Sequence, residues 1–167
     1  MGKIRLFLAG FAVLAVAATL AGQPRSTPVG DAKRFLGTWR LLETTQGGQA
    51  DPIRGLHPRG LIYYDTTGHM AVQISPEPGS VAERGRRPFA GSDPTAEEAR
   101  AALRGYAAYF GTYTIDERAH TVTHHREGNI NPGHLGDFVR RYEFLPGDRL
   151  ALTPLENQNR VIWERIK

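Results

Sequence analysis

At 167 residues the chain has room for about one domain. Its formal net charge of +4 is spread along the chain, with Arg84, Arg86 and Arg87 as its one cluster, which excludes the concentrated basic stripe of a nucleic-acid-binding protein. The absence of cysteine excludes structural disulfides and lipid attachment at a cysteine, so stability must come from an apolar core.

The N-terminus reads as a targeting segment. Lys3 and Arg5 precede a mainly apolar, uncharged run over 6–20, and small residues follow at Ala21 and Gly22. This is the layout of a secretory signal peptide over 1–22, cleaved near Ala21 or Gly22. The run is short of the roughly 20 residues that span a bilayer, so no stable membrane span is expected after cleavage. The expected destination is secreted or periplasmic. Residues 23–34 hold Pro24 and Pro28 and read as a flexible lead-in, with a helical turn beginning at Asp31 and stopping at Gly37.

From Thr38 the pattern switches to period two. Trp39 and Leu41 share one face, Thr38 and Arg40 the other, and the spacing predicts a strand over 38–45. Gly47, Gly48, Asp51 and Pro52 then mark a loop. Residues 61–74 are the clearest hairpin: β-branched and aromatic residues flank a turn at Asp65 to Gly68. On its return strand Met70, Val72 and Ile74 should face the core and His69 the solvent. Residues 75–92 carry three prolines and three glycines and read as a long surface loop. A helix should follow, capped by Asp93, with Pro94 in its first turn and Glu97 and Glu98 at the positive end of its dipole. It is expected to run to Tyr106 or Tyr109, with Leu103, Tyr106 and Phe110 as its apolar face. The segment 76–106 is an insertion between hairpins, expected to lie over the barrel mouth as a lid.

A second hairpin is predicted from Gly111 to Arg126, turning at Glu117 to Ala119. Residues 128–136 form a loop. Strands are predicted over 137–145, 149–153 and 160–166, the first two joined by a turn at Pro146, Gly147 and Asp148. About eight strands joined mainly by hairpins, with one inserted helix, define an all-β, antiparallel up-and-down barrel over 35–167. Eight strands close around an interior wide enough for one small ligand.

Gly37-Thr-Trp39 in the first strand and Arg165 in the last resemble the lipocalin pairing of a Gly-x-Trp motif with a closing arginine, whose guanidinium can stack on the indole. A longer series carries a more specific likeness: Gly37-Thr-Trp-Arg-Leu, Gly60-Leu-Ile-Tyr-Tyr-Asp, Gly68-His-Met-Ala-Val-Gln-Ile, Tyr109-Phe-Gly-Thr-Tyr, Val122-Thr-His-His, Asn131-Pro, Arg140-Arg-Tyr and Trp163-Glu-Arg. In this order they resemble the bacterial and fungal lipocalin-like domain family, from about Phe35 to Lys167. The resemblance implies a β-barrel and no single activity.

The candidate site residues follow from the strand faces. His124 lies on the Val122 face and is the inward member of the His124–His125 pair, because adjacent strand residues point to opposite faces. That alternation, with no cysteine and no His-x-His spacing, leaves no metal site expected, even with His134 nearby. Read blandly, His124 is a hydrogen-bonded core histidine; read functionally, it is a polar anchor or acid/base at a pocket wall. Arg140 shares a face with Phe138, Tyr142 and Phe144. Either it lies inside, paired with a carboxylate or an acidic ligand, or that face is outside. Tyr63, Tyr109, Tyr113 and Tyr142 are candidates for lining the same cavity, each with an apolar ring and one hydroxyl. No hydrolase-type nucleophile motif, phosphate-binding glycine loop or dinucleotide fingerprint occurs, and no cofactor is expected. The leading expectation is a binder of a small, mainly hydrophobic molecule. The alternatives are an isomerase- or cyclase-type enzyme with His124 as acid/base, and a filled barrel with no ligand.

Overall fold

A computed structural model describes residues 30–84, 86–89, 91 and 93–167. The expected signal segment and the lead-in up to residue 29 lie outside the described residues. The chain then forms helix α1 (Asp31–Phe35), strands β1 (Gly37–Gln46), β2 (Gln49–Ala50), β3 (Arg59–Tyr64) and β4 (His69–Ser75), and helix α2 (Ala96–Leu103). Strands β5 (Ala107–Asp116), β6 (Thr121–Asn129), β7 (Gly136–Leu145), β8 (Arg149–Pro154) and β9 (Asn159–Arg165) complete it. Each long strand pairs antiparallel with the next, and β1 pairs with β9 to close the barrel; β2 is a short flap on β1. Closure leaves no free edge among the eight long strands.

Hairpin alternation fixes which side chains fill the interior. Across β3 and β4, Ile62 pairs with Val72 and Tyr64 with Met70, and all four are buried. Their neighbours Leu61 and Tyr63 are exposed. Directly opposed residues share a face, so one register decision assigns both strands.

The two ends differ. Helix α1, the 65–68, 117–120 and 146–148 turns and the C-terminus sit at one end. There Phe35 plugs the barrel, with its ring edge-on to Tyr64 and Tyr142 at 5.2 and 5.1 Å. Trp39 donates its indole N–H to the Phe35 carbonyl at 2.8 Å, and the Arg165 guanidinium stacks 4.1 Å over the Trp39 ring. Arg165 also donates to the Leu36 and Arg34 carbonyls, tying β9 to the plug. Trp39, Trp163, Tyr64, Phe35, Ile62, Leu150 and Leu152 make this half a close-packed core. The opposite end is the mouth, ringed by the loops at 47–58, 76–106, 130–135 and 155–158.

One expectation needs correction. The helix starts later and stops earlier than its sequence indicates. Its N-cap is Thr95, in a reciprocal capping box with Glu98, and it ends at Leu103. Thr95 takes the cap because its hydroxyl accepts the N3 amide while Glu98 returns to the Thr95 N–H. Gly105 turns the chain at φ 71°, and Ala107 already begins a strand, so Leu103 and Phe110 are exposed rather than one helical face. The insertion does leave from the mouth end, but α2 buries none of its residues. The insertion is tied instead to the 51–58 loop, through Arg54 to the Gly105 carbonyl at 2.7 Å and Ala82 N–H to the Ile53 carbonyl at 3.0 Å. Among the described residues no helix is long and apolar enough to cross a membrane.

Candidate functional site

His124 on β6 is fully buried and sits between two tyrosines. Its Nε2 lies 2.8 Å from the Tyr64 hydroxyl of β3, and its Nδ1 lies 2.9 Å from the Tyr109 hydroxyl of β5. Burial pushes the imidazole well below its ordinary pKa, and the positive charges of Arg140 and Arg126 add to that, so the ring is neutral. A neutral imidazole carries one N–H and one acceptor nitrogen. One tyrosine therefore donates to His124 and the other accepts from it. Tyr64 is fully buried and its hydroxyl has no other partner among the described residues, so a proton left over there would be stranded in the core. The consistent order is Tyr64 O–H to Nε2 and Nδ1–H to the Tyr109 oxygen. That order leaves the Tyr109 O–H free to donate into the space beyond. Burial raises the pKa of both tyrosines, well above the ordinary value for Tyr64, so both hydroxyls stay protonated.

That space is a cavity of about 530 Å³ in the mouth half of the barrel. Val72, Ile74, Ala107 and Val161 give it an apolar wall, Phe138 and Tyr109 add rings, and Asn129, Asn131, His134 and Glu156 form its rim. Arg140 on β7 lines it too, and is 8% exposed. Its guanidinium stacks 4.3 Å over the Phe138 ring and lies 6.0 Å from the Tyr109 ring centre. The volume is in the range of a small-molecule pocket, and the wall is mixed, with Arg54, Arg126 and Asn159 also on it. A groove of similar size on the outer wall, between Arg40, Leu42, His57 and Leu61, holds no comparably buried charge.

Of the two alternatives for the Arg140 face, the structure takes the inward one: Arg140 and Tyr142 are buried, and Phe138 and Phe144 are half-buried. It gives Arg140 no carboxylate partner among the described residues. Arg140 and Tyr109 line the cavity, and His124 stands directly behind Tyr109. The other three tyrosines are elsewhere. Tyr63 is 45% exposed on the outer wall, because its neighbours Ile62 and Tyr64 take the interior. Tyr113 points to the closed end and donates to the Asp65 carbonyl at 3.0 Å; its hydroxyl pKa is pushed up to about 12 by burial and then by Asp65. Tyr142 also belongs to the closed end, donating to Asp31 at 2.7 Å. Gly37, Trp39 and Arg165 are together at the plug, as described above.

His125 points outward, to Asp137 at 2.6 Å and Thr114 at 3.0 Å. Among the described residues no group of three or more His, Cys, Asp or Glu side chains is placed to hold a metal ion. Tyr64 is the functional neighbour that sequence reasoning passed over. The signal was present: once Met70 is assigned to the core, its cross-strand partner Tyr64 must be inside and Tyr63 outside.

A closed eight-stranded antiparallel barrel, plugged at one end and hollow at the other, with a Gly-x-Trp strand locked by a C-terminal arginine, defines a lipocalin-like protein. The sequence matches the family described as the lipocalin-like domain over residues 36–166, and the chain belongs to that family. A search of curated proteins finds no match.

Proposed function

We propose that this chain is an exported lipocalin-like barrel that binds a small, mainly apolar molecule in its mouth cavity. The observation that carries the reading is the cavity itself: about 530 Å³, with Val72, Ile74, Ala107 and Val161 as its apolar wall and the buried Arg140 and half-buried Tyr109 beside them. Arg140 and the Tyr109–His124 pair serve as its polar anchors. Export rests on the basic, apolar and small-residue pattern of the first 22 residues.

The enzymatic alternative, an isomerase or cyclase using His124 as acid/base, has less support. The imidazole is sealed behind Tyr109, so a proton could reach a substrate only through that hydroxyl. The test is native mass spectrometry of protein purified gently from its own host, followed by extraction of anything bound. A single copurifying small molecule is the expected outcome. An empty protein that also fails to take up hydrophobic fluorescent probes would leave the filled-barrel alternative standing. Sequencing the N-terminus of the mature protein tests cleavage near Ala21 or Gly22.

A further inference from the structure

The charge balance inside the barrel specifies more than an apolar ligand. Arg140 is more than nine-tenths buried, and its Nε is enclosed without a hydrogen-bond partner. A guanidinium does not shed its proton, so this is a permanent buried cation. The other two arginines on the cavity wall are satisfied. Arg54 holds Asp51 and the Gly105 carbonyl, and Arg126 holds the Gly136 carbonyl and stacks on Phe138. The two carboxylates on the lining are at the rim: Asp137 turns out to His125 and is 66% exposed, and Glu156 is exposed. A buried charge without a counter-ion is among the costlier arrangements a core can hold. Beside it stands Tyr109, whose hydroxyl proton is left pointing into the cavity by the proton order through His124. Arg140 can only donate, the Tyr109 hydroxyl has its proton left to donate, and both line the same space.

Resting on the interior-binding reading above, we propose that the ligand is an amphiphilic carboxylate. Its planar anionic head pairs with the Arg140 guanidinium and accepts from the Tyr109 hydroxyl, and its apolar body lies along Val72, Ile74 and Val161. Guanidinium and carboxylate match in geometry as well as charge. Among the described residues, Arg140 is the cavity-wall cation that is buried and has no carboxylate partner.

The experiment is isothermal titration of the purified protein with decanoate, decanol and decylamine, which share one tail and differ in head. Decanoate should bind at least about tenfold tighter than decanol, and decylamine weakest. Arg140→Met, which removes the charge and keeps the volume, should bring decanoate and decanol within about twofold of each other while decanol binding persists. Tyr109→Phe, a milder change for folding, should weaken decanoate several-fold and weaken decanol by less. Equal binding of acid and alcohol, or a decanoate preference that survives Arg140→Met, overturns the carboxylate assignment and leaves the pocket intact. Failure of all three probes, alcohol included, overturns the interior-binding reading and this inference with it.

Discussion

His124 has two tyrosine partners and no freedom, and that dictates how the protein responds to acid. Its folded-state pKa is held well below the ordinary 6.5, so the unfolded chain takes up its proton first. Stability is therefore complete above about pH 6.5 and falls as pH drops toward the folded value, by about 1.4 kcal/mol per pH unit from this group. Urea unfolding at pH 7 and pH 5 should reveal the slope, and the difference between wild type and His124→Leu isolates it from other titrating groups. The two tyrosines should not be equivalent. Tyr64→Phe strands Nε2 in a dry core and should cost about 1–3 kcal/mol. Tyr109→Phe should cost less, because a hydroxyl lost at a cavity wall can be replaced by water. The inward side of His124 was legible from strand alternation. Its partners were not, because they come from β3 and β5, whose register relative to β6 depends on a bulge between Phe110 and Gly111. Arg140 was legible only as a choice between two faces, and burial of Tyr142 on the same side decides it.

At the scale of elements, the seam between β1 and β9 closes the barrel. Arg165 fastens it through one indole face and two carbonyls. Arg165→Ala should lower stability by about 2–4 kcal/mol in chemical denaturation, more than an ordinary surface change. Gly111 shows a different constraint. A Cβ there would lie 2.0 Å from the His125 carbonyl oxygen, so β5 and β6 meet backbone to backbone beside His124. Gly111→Ala should cost about 1–3 kcal/mol and perturb the His124 ring resonances by NMR. Helix α2 is the contrasting case. Thr95→Ala removes its cap and should weaken the helix by about 1 kcal/mol, visible as faster amide exchange over 96–103. The global unfolding midpoint should not move, because no α2 residue is buried. The strands were readable because periods of two survive in the sequence, as in residues 61–74. The helix limits were not, since Asp93 and Thr95 are both competent caps and only the reciprocal Glu98 contact distinguishes them.

At the scale of the whole molecule, the plug and the cavity lie toward opposite ends of one barrel and share wall residues such as Val72. The plugged half holds Phe35, Trp39, Tyr64 and Trp163 packed together, and the mouth half holds the hollow lined by Arg140 and Tyr109. A ligand should stabilise the fold by mass action, about 2.7 kcal/mol at a hundredfold excess over Kd, and raise the thermal midpoint accordingly. The barrel itself was legible from strand count, hairpin spacing and the Gly37, Trp39 and Arg165 motif. The hollow was not, because emptiness follows from how inward side chains of different lengths meet across the barrel, and no single stretch encodes that.

The division has a consequence over evolutionary time. The plug anchors closure through Phe35, Trp39 and Arg165 without drawing on Val72, Ile74, Phe138 or Val161. Substitutions among those four lining positions change the shape of the mouth cavity while sparing the plug's own ring stacks and hydrogen bonds. Descendants of such a barrel can reshape the cavity by drift at the lining, with the plug as a fixed chassis.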